Sequence, residues 1–157
     1  MSTRTILLPD MAASERLGAA LAGLIRPGDA LLLTGTLGAG KTTLARAIIA
    51  SLCGVEEVPS PTYTLVQSYE ALAGFPVLHG DLYRVEDASE LIELGLEEAV
   101  EDGAVIIEWP QLFDPRLTPD RLEITLDFEG LSGQEGARMA RLTAHGGWEA
   151  RLERIAV

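Results

Sequence analysis

A chain of 157 residues, nearly half of them apolar and about a quarter charged, has the profile of one globular domain, and no apolar run approaches the roughly eighteen residues of a membrane-spanning helix. A net charge of −12, with eleven scattered arginines and one lysine, argues against an autonomous nucleic-acid binder, because such binding is largely phosphate neutralisation by clustered basic residues. Cys53 is the only cysteine, which excludes an internal disulfide and fits a reducing, cytoplasmic setting; the opening MSTRTILLPD does not read as a signal peptide.

In chain order, short apolar runs alternate with amphipathic helical stretches, the pattern of an α/β layer architecture. Arg4–Leu8 is a predicted first strand. Pro9 and Asp10 then open a helix with Leu17, Leu21, Leu24 and Ile25 on one face, ended by Pro27-Gly28-Asp29. Ala30–Thr34 is continuously apolar, as expected of a strand buried on both faces of a parallel sheet. It leads into a glycine-rich loop and a helix over Lys41–Leu52, stopped by Gly54. Two prolines make Glu56–Thr64 a loop. Leu65–Glu70 and Val77–Asp81 are predicted strands; Asp87 caps a helix through Leu94 that can continue past Gly95 to Val100. Ala104–Glu108 is another buried strand, and Pro110–Pro119 a loop. Leu122, Ile124, Leu126 and Phe128 then alternate with polar residues, predicting a half-buried strand. A turn over Gly130–Gly136 leads to a strand near Arg138–His145, giving an antiparallel hairpin at the sheet edge. Trp148–Ile155 closes the chain as a helix.

The stretch Gly35–Thr42, GTLGAGKT, meets the spacing G-x-x-x-x-G-K-[ST] through Gly35, Gly40, Lys41 and Thr42. Glycines let successive backbone N–H groups turn inward around a phosphate without a Cβ in the way. The helix starting at Lys41 points its positive dipole end at the same anion. Lys41 then reaches the β- and γ-phosphates, the Thr42 hydroxyl completes a Mg²⁺ coordination sphere, and Thr43 approaches the α-phosphate. A chain that uses arginine at every other basic position keeps its one lysine here, where a compact ammonium suits better than a guanidinium fork. The cofactors expected are ATP and Mg²⁺. The fold expected is a P-loop NTPase three-layer α/β sandwich, with a mostly parallel central sheet and an antiparallel hairpin near the C-terminus, as a single domain over residues 1–157.

Such a site needs a further carboxylate at the end of a neighbouring apolar strand. Glu108 ends AVIIE and Asp81 ends VLHGD. Glu108 is assigned as the Mg²⁺ ligand, directly or through water. Asp81 is assigned as second carboxylate or orienter of the attacking water.

The motifs GTLGAGKTTLAR (Gly35–Arg46), SPTYTLVQSYE (Ser60–Glu70), HGDLYR (His79–Arg84) and IIEWP (Ile106–Pro110) occur in that order. This set resembles the TsaE (YjeE) family of small ATPases that assist threonylcarbamoyladenosine synthesis on tRNA. The resemblance covers most of the chain and implies ATP hydrolysis that is weak without partners. It implies association with a TsaB–TsaD pair, in which TsaD transfers the group to adenosine 37 of tRNAs reading codons that begin with A. The tRNA is then met only indirectly, and the ATP cycle resets the complex between turnovers. By motif position, Gly38, Ala39, Gly40, Lys41, Thr42 and Thr43 contact phosphates, and Thr42 and Glu108 the metal. Ser60–Tyr63 corresponds to a first switch segment and Asp81–Arg84, with Tyr83, to a second; Pro9–Met11 resembles an adenine-side contact, with Met11 as its residue. Thr36 stands where the family usually has an acid, and Gly80 where an apolar residue is common.

Thr62 and Tyr63 are read either as sensors of the γ-phosphate or as part of a proline-stiffened turn. Arg84 is read as an internal arginine finger, a partner contact or an ion-pair partner of Glu86 or Asp87. Trp109 either packs beside the metal site or is an ordinary large core residue, and His79 either orients a water or, as is more usual within an apolar strand, is a satisfied core histidine. A small-molecule kinase with Asp81 as general base is the competing function. A GTP switch is disfavoured, since the chain contains no asparagine for an N-K-x-D loop.

Overall fold

The computed structural model describes residues 1–36, 39–59, 65–128 and 137–156. Its centre is set by the two continuously apolar runs, which form β2 (Ala30–Gly35) and β5 (Ala104–Glu108) side by side and parallel. The pleat sends Leu31, Leu33, Ala104 and Ile106 to one face of the sheet and Ala30, Leu32, Val105 and Ile107 to the other. Each face therefore needs its own cover. The first is covered by α1 (Met11–Ala22), α2 (Lys41–Cys53) and α5 (Trp148–Leu152), the second by α3 (Ser89–Glu93) and α4 (Leu96–Asp102).

With β1 (Ser2–Leu8), β3 (Val66–Glu70), β4 (Pro76–Asp81), β6 (Arg121–Phe128) and β7 (Arg138–His145), the sheet has seven strands in the order β1-β7-β6-β2-β5-β4-β3. The four central strands β6, β2, β5 and β4 are parallel; β3, β7 and β1 pair antiparallel. This is the three-layer sandwich the sequence predicts. Among the described residues no helix is long and apolar enough to cross a membrane.

Local signals mark most boundaries. The Asp10 carboxylate accepts the Ala13 N–H at 2.9 Å and so caps α1. A Cβ on Gly18 would lie 2.6 Å from that of Ala47, so the missing side chain lets α1 lie close against α2. A buried Asp29–Arg151 ion pair, closed on one side at 3.2 Å, ties the start of β2 to α5.

Four expectations need correction. The β6–β7 hairpin is not at the edge: β1 pairs along the outer side of β7, from Ser2↔Ala144 to Leu8↔Arg138. Phe128 is half exposed, beyond the buried stretch of β6. Leu24 and Ile25 pack into the core from a turn after α1 rather than from the helix. The region after Asp87 forms two short helices broken at Gly95, and the Asp87 carboxylate accepts from Ser89 N–H ahead of the first.

Candidate functional site

The end of β2 is where the glycine loop leaves the sheet. Gly35 has φ 141°, and a Cβ there would meet the Leu126 carbonyl oxygen of β6 at 2.2 Å, so the turn requires glycine. The Ala39 N–H donates to Thr36 O at 3.1 Å. Gly40, at φ 97°, precedes α2 and supplies no side-chain cap. The first N–H groups of this thirteen-residue helix thus face the loop as anion donors.

Lys41 is buried, and its Nζ donates to Gly35 O at 2.9 Å and Thr36 O at 2.8 Å. It also lies 4.1 Å from the centre of the Trp109 ring. Burial pulls the amine below its ordinary pKa of 10.5, while the charges of Glu108 and Asp81 hold it up.

Thr42, one residue on, donates from its hydroxyl to Glu108 Oε1 at 2.6 Å. The other carboxylate oxygen of Glu108 meets His79 Nε2 at 2.7 Å, with both side chains buried. Parallel pairing of β4 with β5 sets Asp81 opposite Glu108. Asp81 Oδ1 accepts the Tyr83 N–H at 3.1 Å. Burial pushes the Asp81 carboxyl above 3.8, reinforced by Glu108 and opposed by the Tyr83 amide, His79 and Lys41.

Trp109 occupies the left-handed region at φ 57°, a strained conformation for a bulky residue. Its N–H donates to Leu33 O at 3.1 Å, which holds the residue to β2 after β5 has ended. The strained turn places the indole over Lys41 and against Tyr83, with ring centres 4.8 Å apart. Trp109 is half-buried and packs on Lys41 and Tyr83. Tyr83 is exposed, as is Arg84 on the same turn.

The donors fit a hard cation beside a phosphate chain. Among the described residues no three His, Cys, Asp or Glu side chains converge as a metal cage. Mg²⁺ needs none, since it binds through one or two protein oxygens together with phosphate oxygens and water. Thr42 Oγ1 and Glu108 Oε1 are such oxygens, already 2.6 Å apart.

An open cleft of about 1000 Å³ runs beside α2, lined by Met11, Glu15, Thr43, Arg46, Val58 and Pro59 among others. Met11 and Thr43 thus share one cavity. Gly38, Ser60, Thr62 and Tyr63 lie outside the described residues.

Two residues make contacts in the site that the sequence does not announce. His79, read from sequence as an ordinary core histidine, is the second partner of Glu108. Arg138, at the start of β7, donates from Nε to Ala39 O at 3.2 Å, with its guanidinium 4.1 Å over the Phe128 ring.

A parallel sheet whose central strand runs into a glycine loop, a lysine and a helix, with an acid ending the next strand, defines the α/β fold of P-loop NTPases. A family profile described as "Threonylcarbamoyl adenosine biosynthesis protein TsaE" matches residues 8–136. The tRNA threonylcarbamoyladenosine biosynthesis protein TsaE of Rickettsia conorii is 41% identical over 115 residues, which are 73% of this chain and 65% of that protein. The chain thus spans a little under two-thirds of that relative's length. The Bacillus subtilis protein of the same name is 38% identical over 128 residues, covering 81% of this chain and 77% of its own. A crystal structure of Bacillus subtilis YdiB superposes with a TM-score of 0.78 at 26% identity, covering 98% of this chain and 94% of that one. The chain belongs to the TsaE family, the family of tRNA threonylcarbamoyladenosine biosynthesis.

Proposed function

We propose that this chain is a Mg²⁺-dependent ATP-binding and slowly ATP-hydrolysing subunit that assists a TsaB–TsaD-like pair in forming threonylcarbamoyladenosine at position 37 of tRNA. The observation that carries this reading is the junction of Thr42 with Glu108 at 2.6 Å, beside Lys41 and opposite Asp81. A hydroxyl, two carboxylates and one ammonium at the mouth of an uncapped helix are the parts that phosphoryl chemistry uses.

In this reading the N–H groups at the start of α2 bind the phosphates. Lys41 leaves the carbonyls of Gly35 and Thr36 to reach the β- and γ-oxygens. Thr42 and Glu108 hold Mg²⁺, which neutralises charge on the phosphates when bound. Asp81 orients the attacking water, a role in which a basic, hydrogen-bonded carboxylate serves well. Met11 and the cleft beside Thr43 receive the adenine side. The surface is too acidic to hold tRNA, so the tRNA is engaged through the partners, and the group transfer is theirs. Residues Ser60, Thr62, Tyr63, Tyr83, Arg84 and Trp109 carry the nucleotide state to them.

The test is phosphate release and tRNA modification by the reconstituted complex, with Lys41→Ala and Glu108→Ala. Unchanged turnover and modification in both variants refute the reading. Transfer of the phosphoryl group to a small acceptor would instead favour the kinase.

A further inference from the structure

We infer that His79 is a positioning residue for Glu108, holding the metal-binding carboxylate in the orientation that meets Thr42. The inference rests on the proposed Mg²⁺–nucleotide site. Strand register supplies the geometry: β4 and β5 pair His79 with Ile106 and Asp81 with Glu108. His79 therefore lies two residues deeper than Asp81 on the same face of β4, and reaches up to the end of the adjacent strand.

Glu108 is 1% exposed, and both of its oxygens are engaged, one by the Thr42 hydroxyl and one by His79 Nε2. An ionised carboxylate only accepts, so the ring must donate from Nε2. Its other nitrogen, Nδ1, is buried and has no hydrogen-bond partner among the described residues. A proton there would be stranded, whereas a bare lone pair is tolerated far better. The surroundings thus favour the tautomer that turns Nε2–H toward Glu108 and keeps Nδ1 bare.

Thr42 is itself a proposed metal ligand, and its oxygen would face a cation with a lone pair while its proton can stay on Glu108 Oε1. His79 fixes the other oxygen, Oε2, so that the carboxylate does not pivot about the Thr42 contact. Without His79, Glu108 is free to turn toward the Lys41 ammonium, whose charge it already feels. A ligand would then be lost to an internal ion pair. Groups that orient a ligand from behind typically contribute about tenfold to a hundredfold in metal affinity.

The experiment measures the affinity of a non-hydrolysable ATP analogue with Mg²⁺ and with EDTA, for the native chain, His79→Leu and His79→Gln. A native gain from Mg²⁺ is expected. His79→Leu should lose about tenfold or more of that gain while its affinity in EDTA stays within about twofold. His79→Gln, whose amide nitrogen can replace the Nε2 donor, should recover most of it. Equal losses with and without Mg²⁺, or a full Mg²⁺ gain in His79→Leu, overturn the inference. Absence of a Mg²⁺ gain in the native chain instead refutes the proposed metal site itself, and the inference with it. If His79→Leu does not fold, nitrogen-15 NMR of the native ring decides: Nε2 protonated and Nδ1 bare is expected, and the opposite tautomer overturns the assignment. The chain has two histidines, so the resonances are readily separated.

Discussion

Lys41 rests with its ammonium 4.1 Å from the centre of the Trp109 ring, and Trp109 itself sits in a left-handed conformation with its N–H donated to the Leu33 carbonyl. A lysine that moves to phosphates must leave that ring, and an exposed aromatic neighbour, Tyr83, shares its other contacts. Tryptophan emission should therefore change when Mg²⁺–ATP is added. The change should vanish in Trp109→Phe and persist in Trp148→Phe, because Trp148, the first residue of α5, is fully buried in the core.

Replacing Lys41 by alanine should lower ATP turnover by about a hundredfold to a thousandfold, the typical loss when one preorganised charge-stabilising donor is removed. Lys41→Arg should not restore it. The buried slot between Gly35 O, Thr36 O and the indole fits a compact ammonium, and a planar guanidinium cannot occupy it in the same way. Single-turnover phosphate release measures both.

Asp81 links activity to pH. Its folded pKa lies above the ordinary 3.8, so between those two values the folded chain binds more protons than the unfolded one. Stability from this group is therefore greatest below 3.8 and falls as pH rises through the folded value. Asp81→Asn keeps an oxygen for the Tyr83 N–H but removes the buried charge. It should raise the unfolding midpoint at pH 7 and lose that advantage near pH 4, while ATP turnover falls. Thermal melts at the two pH values test the sign.

Two glycines should respond in opposite ways. Gly35→Ala drives a Cβ into the Leu126 carbonyl at positive φ, and should destabilise by about 3 kcal/mol or more. Gly80→Ala places a Cβ 3.6 Å from Val66 Cγ1 in ordinary contact on a regular strand. There the smaller freedom of the unfolded chain should stabilise by about 0.4–1 kcal/mol. Denaturant midpoints separate the two.

Arg138→Ala removes a hydrogen bond to Ala39 O and a stacking contact with Phe128. Nucleotide affinity should weaken by about fivefold to tenfold, in keeping with roughly 1 kcal/mol for such a bond. Equilibrium binding with Mg²⁺ present measures it.

The sequence pattern specifies the buried strands well. Unbroken apolar runs such as Ala30–Thr34 and Ala104–Glu108 have few alternatives, and the glycine loop must follow one of them. Pairing between distant strands is another matter. Nothing in Ser2–Leu8 indicates that it lies outside β7, which is why the hairpin reads as an edge. His79 and Glu108 are separated by 29 residues and Arg138 and Ala39 by 99, so their contacts depend on register, which composition does not encode. Trp109 beside Glu108 was legible as a neighbour, but its left-handed turn was not, since no glycine or asparagine announces it.

The two covers of the sheet are unequal. One face is braced by helices of twelve and thirteen residues, the other by helices of five and seven, too short to stand without the sheet. Lys41, Thr42 and Glu108 ride on the braced side. The turn after Asp81, through Leu82 and Val85, packs into the lighter one. The proposed phosphate grip thus rests on the heavier layer, while the segment that follows Asp81 is seated in the lighter one.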